Sequence, residues 1–150
     1  MINLNGNSSS SRQVTFITHP SIQSKAFASY LSETLMAPVV LQNINKPLAQ
    51  RLAKDSVILF DIAVSNKKLN GVWRDIIRLQ ADNPRLLIIN SAQKYELYEM
   101  AQWPALYGVF RHDDDESRLI EGVKAVLNGE QTAELSVMHP AMYAADHAST

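Results

Sequence analysis

The stretch "SVILFDIAVS", Ser56 to Ser65, decides the fold. Val57 to Phe60 form the continuous apolar, β-prone run of a strand covered on both faces, and the run ends on one carboxylate, Asp61. A charge delivered to the end of a buried strand can accept a phosphoryl group, hold a metal, pair with a cation, or be the remnant of such a site. The residues that the fold brings beside it decide among these.

Working outward, further β-prone runs stand at "VTFIT" (14–18), "PVVL" (38–41), "RLLIIN" (85–90) and "YGVF" (107–110), separated by stretches with helical spacing. After Pro20, residues Ile22, Ala26, Phe27, Tyr30 and Leu31 fall on one helix face. "NKPLAQRLAK" (45–54) predicts a short second helix. "KLNGVWRDIIRLQ" (68–80) predicts a third, with a stripe of Leu69, Val72, Trp73, Ile76, Ile77 and Gln80. "SAQKYELYEMAQW" (91–103) reads as a fourth helix ended by Pro104. "DDESRLIEGVKAVLNG" (114–129) reads as a fifth that buries Leu119, Ile120, Val123 and Leu127 and stops at Gly129. Strict alternation of strand and helix predicts an α/β fold: a flavodoxin-like (βα)5 doubly wound parallel sheet, strand order 2-1-3-4-5, receiver-like, with its crevice at the carboxyl ends of the strands. Asp61 then stands at that crevice. Residues 1–13, rich in Ser and Asn, read as a flexible polar arm, 14–130 as the receiver-like domain, and 131–150 as a tail or short extra helix.

With 150 residues the chain has room for one domain with a normal core. The net charge of -1, with basic residues scattered, supplies no electrostatic footprint for nucleic acid. The absence of cysteine excludes disulfides and thiolate metal sites. No apolar stretch reaches the roughly 18 residues of a membrane span, and no signal peptide is evident, so a cytoplasmic location with no membrane contact is expected.

Three chemistries compete for the crevice. A flavin-type phosphate site needs a loop of free backbone N–H groups after the first strand, and "THPSIQ" has no glycine and a proline that removes a donor. A phosphoacceptor receiver needs carboxylates beside Asp61 to hold Mg2+. Receivers place an acidic pair at the end of strand 1, a Thr or Ser after strand 4 and a Lys after strand 5. Here the corresponding positions are Thr18 and His19, then Ser91 after Asn90, then His112. The third reading is a degenerate receiver that keeps the acceptor and hydroxyl but has lost the metal ligands and the lysine. It works by dimerisation or signal sensing, with no catalysis and no cofactor. Asp61, Thr18, His19, Ser91 and His112 then form a vestigial phosphoacceptor pocket. His19 and His112 with Asp61 could supply a two-nitrogen, one-oxygen metal site; the plainer readings are a His–Asp ion pair or exposure, and no metal is assigned. Acids 113–116 complement the dipole at the start of a helix.

The segments "ITHPSIQSKAFASYL", "SVILFDIAVSNKKL", "LLIINSAQKYELYEMAQWP" and "YGVFRHDDDESRLIEGVKAVLNGE" together resemble the receiver-like N-terminal domain of the LuxR/FixJ-family regulators of the CsgD and VpsT group, which control curli and exopolysaccharide genes in biofilm formation. The resemblance runs from about Val14 to Glu130. It implies a transcription regulator whose DNA contact is made by a C-terminal helix-turn-helix domain, for which residues 131–150 are too few. VpsT-like members bind cyclic di-GMP through a Trp-x-Thr/Ser-Arg motif after the Gly-Glu that closes the last helix. After Gly129-Glu130 this sequence reads "QTAELSVMHP", without the Trp or the Arg, so cyclic di-GMP binding is not carried over. Receiver-like domains commonly pair through the face of helix 4 and strand 5. This makes Tyr95, Tyr98, Trp103 and Tyr107 the candidate face of a homodimer. The alternatives to the degenerate reading are a receiver phosphorylated on Asp61 and a cyclic di-GMP-responsive receiver.

Overall fold

The computed structural model describes residues 13–80, 82–92 and 97–129. Its elements are β1 (Val14–Thr18), α1 (Ile22–Leu35), β2 (Val39–Asn43), β3 (Val57–Asp61) with a 3-10 turn (Ile62–Val64), α2 (Lys67–Gln80), β4 (Arg85–Ser91), α3 (Leu97–Ala101), β5 (Leu106–Arg111) and α4 (Glu116–Leu127). All strand pairs are parallel, in the order β2-β1-β3-β4-β5. The doubly wound sheet expected from the sequence is therefore the one observed.

The continuous apolar runs are explained by two cores, one on each face of the sheet. Val14, Phe16, Val57, Leu59, Leu87 and Ile89 meet Leu31 of α1 and Val123 of α4 in one layer. Ile17, Ile58, Phe60, Leu86 and Ile88 meet Trp73 and Ile77 of α2, with Trp103, in the other. Successive strand residues alternate between the layers, so every residue of β1 and of β3 is buried.

Of the α1 stripe expected, Leu31 is buried and Phe27 packs against the same layer, but the other three residues face outward. The buried residues of α1 are Ala28, Leu31 and Leu35, whereas Ile22 is 88% exposed, Ala26 is exposed and Tyr30 is 44% exposed. The start of the helix is fixed by a capping box: Ser24 N–H donates to Ser21 Oγ at 3.0 Å and Ser21 N–H to Ser24 Oγ at 2.8 Å. Apolar residues lie on more than one side of this helix, so spacing alone did not select the face that packs. In α2, Trp73 and Ile77 are buried, with Leu69 and Ile76 packed against the same layer, while Val72 and Gln80 are exposed.

The second expected helix, 45–54, is not formed; this segment is turn and loop. Gln42 on β2 replaces it as the organiser. Its Nε2 donates to the carbonyls of Asn43 (2.9 Å) and Pro47 (3.1 Å), and its Oε1 accepts from Ala49 N–H at 2.9 Å. Backbone groups that a helix would satisfy internally are thus satisfied by one buried side chain, and Leu52 is anchored in the α2 layer. The strict alternation of five helices accordingly becomes four α-helices among the described residues. The fourth expected helix is shorter than its stretch: β4 runs through Ser91, the described helix is Leu97–Ala101, and 93–96 lie outside the described residues. All but residue 13 of the expected arm 1–13, and the whole expected tail 131–150, also lie outside them.

Candidate functional site

Strand parity builds the site. Phe16 and Leu59 face the α1/α4 layer, so two residues further on, Thr18 and Asp61 face the same side at the carboxyl ends of adjacent strands. Both are buried, Thr18 to 2% exposure and Asp61 to 7%. Thr18 Oγ1 donates to Asp61 Oδ2 at 2.7 Å. Asp61 Oδ1 accepts from Asn90 Nδ2 at 3.1 Å and from Ala63 N–H at 3.3 Å, which caps the 3-10 turn. Among the described residues no Lys, Arg or His nitrogen forms an ion pair with this carboxylate.

Asn90 is the member of the site that sequence reading missed. Its φ of 62° places it in the left-handed region, which Asn tolerates, and the β4–β5 register shifts between Ile88 and Ser91. The break in alternation brings Asn90 to Asp61. Ser91, the expected hydroxyl, is buried, and Asn90 takes its place in the wall around Asp61. An Asn closing an apolar run at the carboxyl edge of the sheet was the available signal.

His19 is exposed at the rim of the pocket over Asp61, and its carbonyl accepts from Ser24 Oγ at 3.0 Å. His112 is also exposed; its N–H continues the ladder to Ser91 O at 3.0 Å, and it lines a smaller neighbouring cleft. The partners of Asp61 are Thr18, Ala63 and Asn90, not an imidazole, and no cluster of three His, Cys, Asp or Glu suited to a metal occurs among the described residues. Of the acids before α4, Asp114 Oδ2 accepts from Arg111 N–H at 2.7 Å and Asp113 lies 3.4 Å from the Arg111 guanidinium. Asp115 is the N-cap residue without a side-chain cap bond, and Glu116 sits in the first turn.

Of the aromatic set, Tyr98 is 68% exposed on α3, Tyr107 is half-buried against the α1/α4 layer, and Trp103 is buried, its ring 5.0 Å from that of Phe60. Trp103 therefore contributes core packing; Tyr95 lies outside the described residues.

The pocket above Asp61 measures about 470 Å3 and opens between α1 and the carboxyl ends of β1, β3 and β4, with Leu119 of α4 on its wall. A doubly wound five-stranded sheet with an aspartate at the end of its third strand defines a receiver-like domain. The chain belongs to the VpsT-like receiver domain family, which it matches over residues 16–133. It is 32% identical over 114 residues to the CsgBAC operon transcriptional regulatory protein of Escherichia coli (strain K12), covering 76% of this chain and 52% of that protein. It is 29% identical over 123 residues to the probable csgAB operon transcriptional regulatory protein of Salmonella typhimurium (strain LT2), covering 82% of this chain and 56% of that one. The chain thus spans about half the length of these relatives. Among solved structures, the regulatory domain of the master biofilm regulator CsgD superposes with a TM-score of 0.75 at 28% identity, over 83% of this chain and 96% of that one. The resemblance drawn from the sequence is therefore the family observed. No helix among the described residues is long and apolar enough to cross a membrane.

Proposed function

We propose that the chain is the regulatory domain of a transcription regulator of biofilm matrix genes, and that its Asp61 pocket is a degenerate phosphoacceptor site. In this reading the domain catalyses nothing. It acts by self-association or signal sensing, and DNA is bound by a helix-turn-helix segment outside these residues. The similarity to two csg operon regulators and to the CsgD regulatory domain supports the regulatory role. One observation carries the degenerate reading: where Mg2+ ligands would have to stand, β1 ends in Thr18 and His19, and Thr18 is committed as a neutral donor to Asp61. Mg2+ sheds its waters reluctantly and takes hard oxygen ligands, so one carboxylate leaves the incoming phosphoryl charge uncompensated. The exposed His112 is a weaker counter-charge than the ammonium of a lysine.

The pairing surface proposed is the α3–β5 face, with Tyr98 of α3 as its exposed aromatic and the half-buried Tyr107 contributed by β5. Cyclic di-GMP has no part in this reading, because the Trp and Arg that would hold it are missing from the sequence after Glu130.

The test is the intact mass of the chain after acetyl phosphate with Mg2+, with Asp61→Asn as control. No mass gain is expected. A stoichiometric, Mg2+-dependent gain that the variant lacks would make Asp61 a working acceptor. Sedimentation of the same chain at about 100 μM, well above the micromolar dissociation constants of modest interfaces, tests self-association; a strict monomer would count against it.

A further inference from the structure

We propose that the pocket over Asp61 binds a small organic cation with an apolar body, such as an aromatic or branched aliphatic amine, whose ammonium donates to Asp61 while its body lies against Phe16, Phe27, Ile89 and Leu119. The inference rests on the degenerate reading of Asp61 and names the ligand class that the vacated site takes.

Three observations point the same way. First, the Asp61 carboxylate is 7% exposed and, among the described residues, receives only neutral donors: one hydroxyl on Oδ2, one amide and one backbone N–H on Oδ1. A carboxylate has about four acceptor directions, so one remains, on the oxygen bound by Thr18 alone. A buried charge held without a counter-ion is the group that gains most from a cation arriving with its own donors.

Second, the walls are apolar. Phe16 and Ile89 belong to the buried layer, and Phe27 and Leu119 are the partly buried residues that complete it toward the opening. A volume of about 470 Å3 lies within the ~300–1,000 Å3 range of small-molecule pockets. Metal ions do not need such walls.

Third, among the described residues the charge around the opening is mainly negative. Among the described residues no Lys or Arg lines this pocket, and His19 stands at its rim. The adjoining cleft, which shares Asn90 and Leu119 with it, adds the acids Asp114, Asp115 and Glu116; among the described residues these face His112 and the guanidinium of Arg111, which is already beside Asp113. A phosphate or carboxylate ligand would meet repulsion there, and a cation would be drawn in.

The experiment is a titration of the full chain, followed by 15N–1H NMR, with 2-phenylethylamine, 2-phenylethanol and phenylacetate as matched probes. The amine is expected to saturate at about 0.1–1 mM, as befits a fragment. It should move the amides of Ala63, Phe27 and Asn90, bind at least about ten-fold tighter than the alcohol, and outbind the acid by more, since a charge-assisted hydrogen bond separates them. Asp61→Asn should remove the preference of amine over alcohol. Equal binding of amine and alcohol, no saturation by about 10 mM, shifts mapping away from these residues, displacement of the amine by millimolar Mg2+, or an unchanged preference in Asp61→Asn would each overturn the proposal. The amine-to-alcohol ratio in the unaltered chain needs no variant. The acetyl phosphate mass measured on the same sample separates the two failures: an unphosphorylated chain that ignores the amine sinks only this inference, and a phosphorylated one sinks the degenerate reading itself.

Discussion

On the α2 side of the sheet, Trp73 and Trp103 close the apolar layer, and the Trp73 indole N–H donates to Ile44 O at 2.9 Å across 29 residues of sequence. On the α1/α4 side the same strands end in Thr18, Asp61 and Asn90 under an open pocket. One sheet thus carries a packed aromatic layer on one face and, on the other, an open polar pocket at the carboxyl ends of its strands, separated by the two-residue alternation of the strands. A polar residue introduced at a strand's carboxyl end has a different meaning on each side. Among Trp73, Phe60 and Trp103 it would be a buried defect; beside Phe16 and Ile89 it becomes a site that ligands can reach.

The largest expected effect lies on the α2 side. Trp73 is 1% exposed, so Trp73→Ala is expected to destabilise the chain by about 3–5 kcal/mol in equilibrium urea unfolding, through lost burial, a cavity and an orphaned Ile44 carbonyl. A loss under about 1 kcal/mol would mean that this layer relaxes as readily as the open one and would end the contrast.

A smaller effect is expected inside the open layer, away from its pocket. A Cβ on Gly122 of α4 would come within 2.7 Å of Phe110 Cζ, and Phe110 is 2% exposed. The glycine lets helix and ring approach closely. Gly122→Ala gains about 1 kcal/mol of helix propensity and costs about 1–3 kcal/mol of overpacking, so a net loss near 1 kcal/mol is expected. Stabilisation in the same urea assay would show that α4 has slack, and that the openness of this layer extends beyond the pocket.

Most of this division could be read in the sequence, for a physical reason. The five strands are short apolar runs between breakers, and a run such as 57–60 has no comfortable place except between two covered faces. Asp61 was legible because it is a lone charge closing such a run. The segment 45–54 was not legible, because Gln42, a residue seven positions before Ala49, supplies the bonds that make the loop better than the helix its spacing allows. The buried side of α1 is legible only at Phe27 and Leu31, because Ile22 and Tyr30 have the same apolar character as Leu31 and Leu35, and only the sheet chooses between them. Asn90 was missed because a left-handed residue at a register shift breaks the alternation on which the reading relied.

The smallest effect sharpens a second contrast, between the two ends of β3. Ser56, just before the strand, has no exposed surface, and its hydroxyl has no hydrogen-bond partner among the described residues. Its backbone is fully used: its N–H donates to Ala53 O at 3.1 Å and its carbonyl accepts from Arg85 N–H at 3.0 Å. Asp61, at the other end, has every oxygen bonded and faces an opening. If polar groups at the carboxyl end are there for ligands and the one at the amino end is only tolerated, deleting the Ser56 hydroxyl should cost nothing. A buried hydroxyl without a partner has lost its water for no return, at about 1–3 kcal/mol, while the atom's packing contributes a few tenths in the other direction. Ser56→Ala is therefore expected to leave stability unchanged or raise it by up to about 1 kcal/mol in urea unfolding, with the backbone bonds to Ala53 and Arg85 intact. A loss of more than about 1 kcal/mol would assign the hydroxyl a bound water or other partner, and the amino end of β3 would then be as deliberately polar as the carboxyl end.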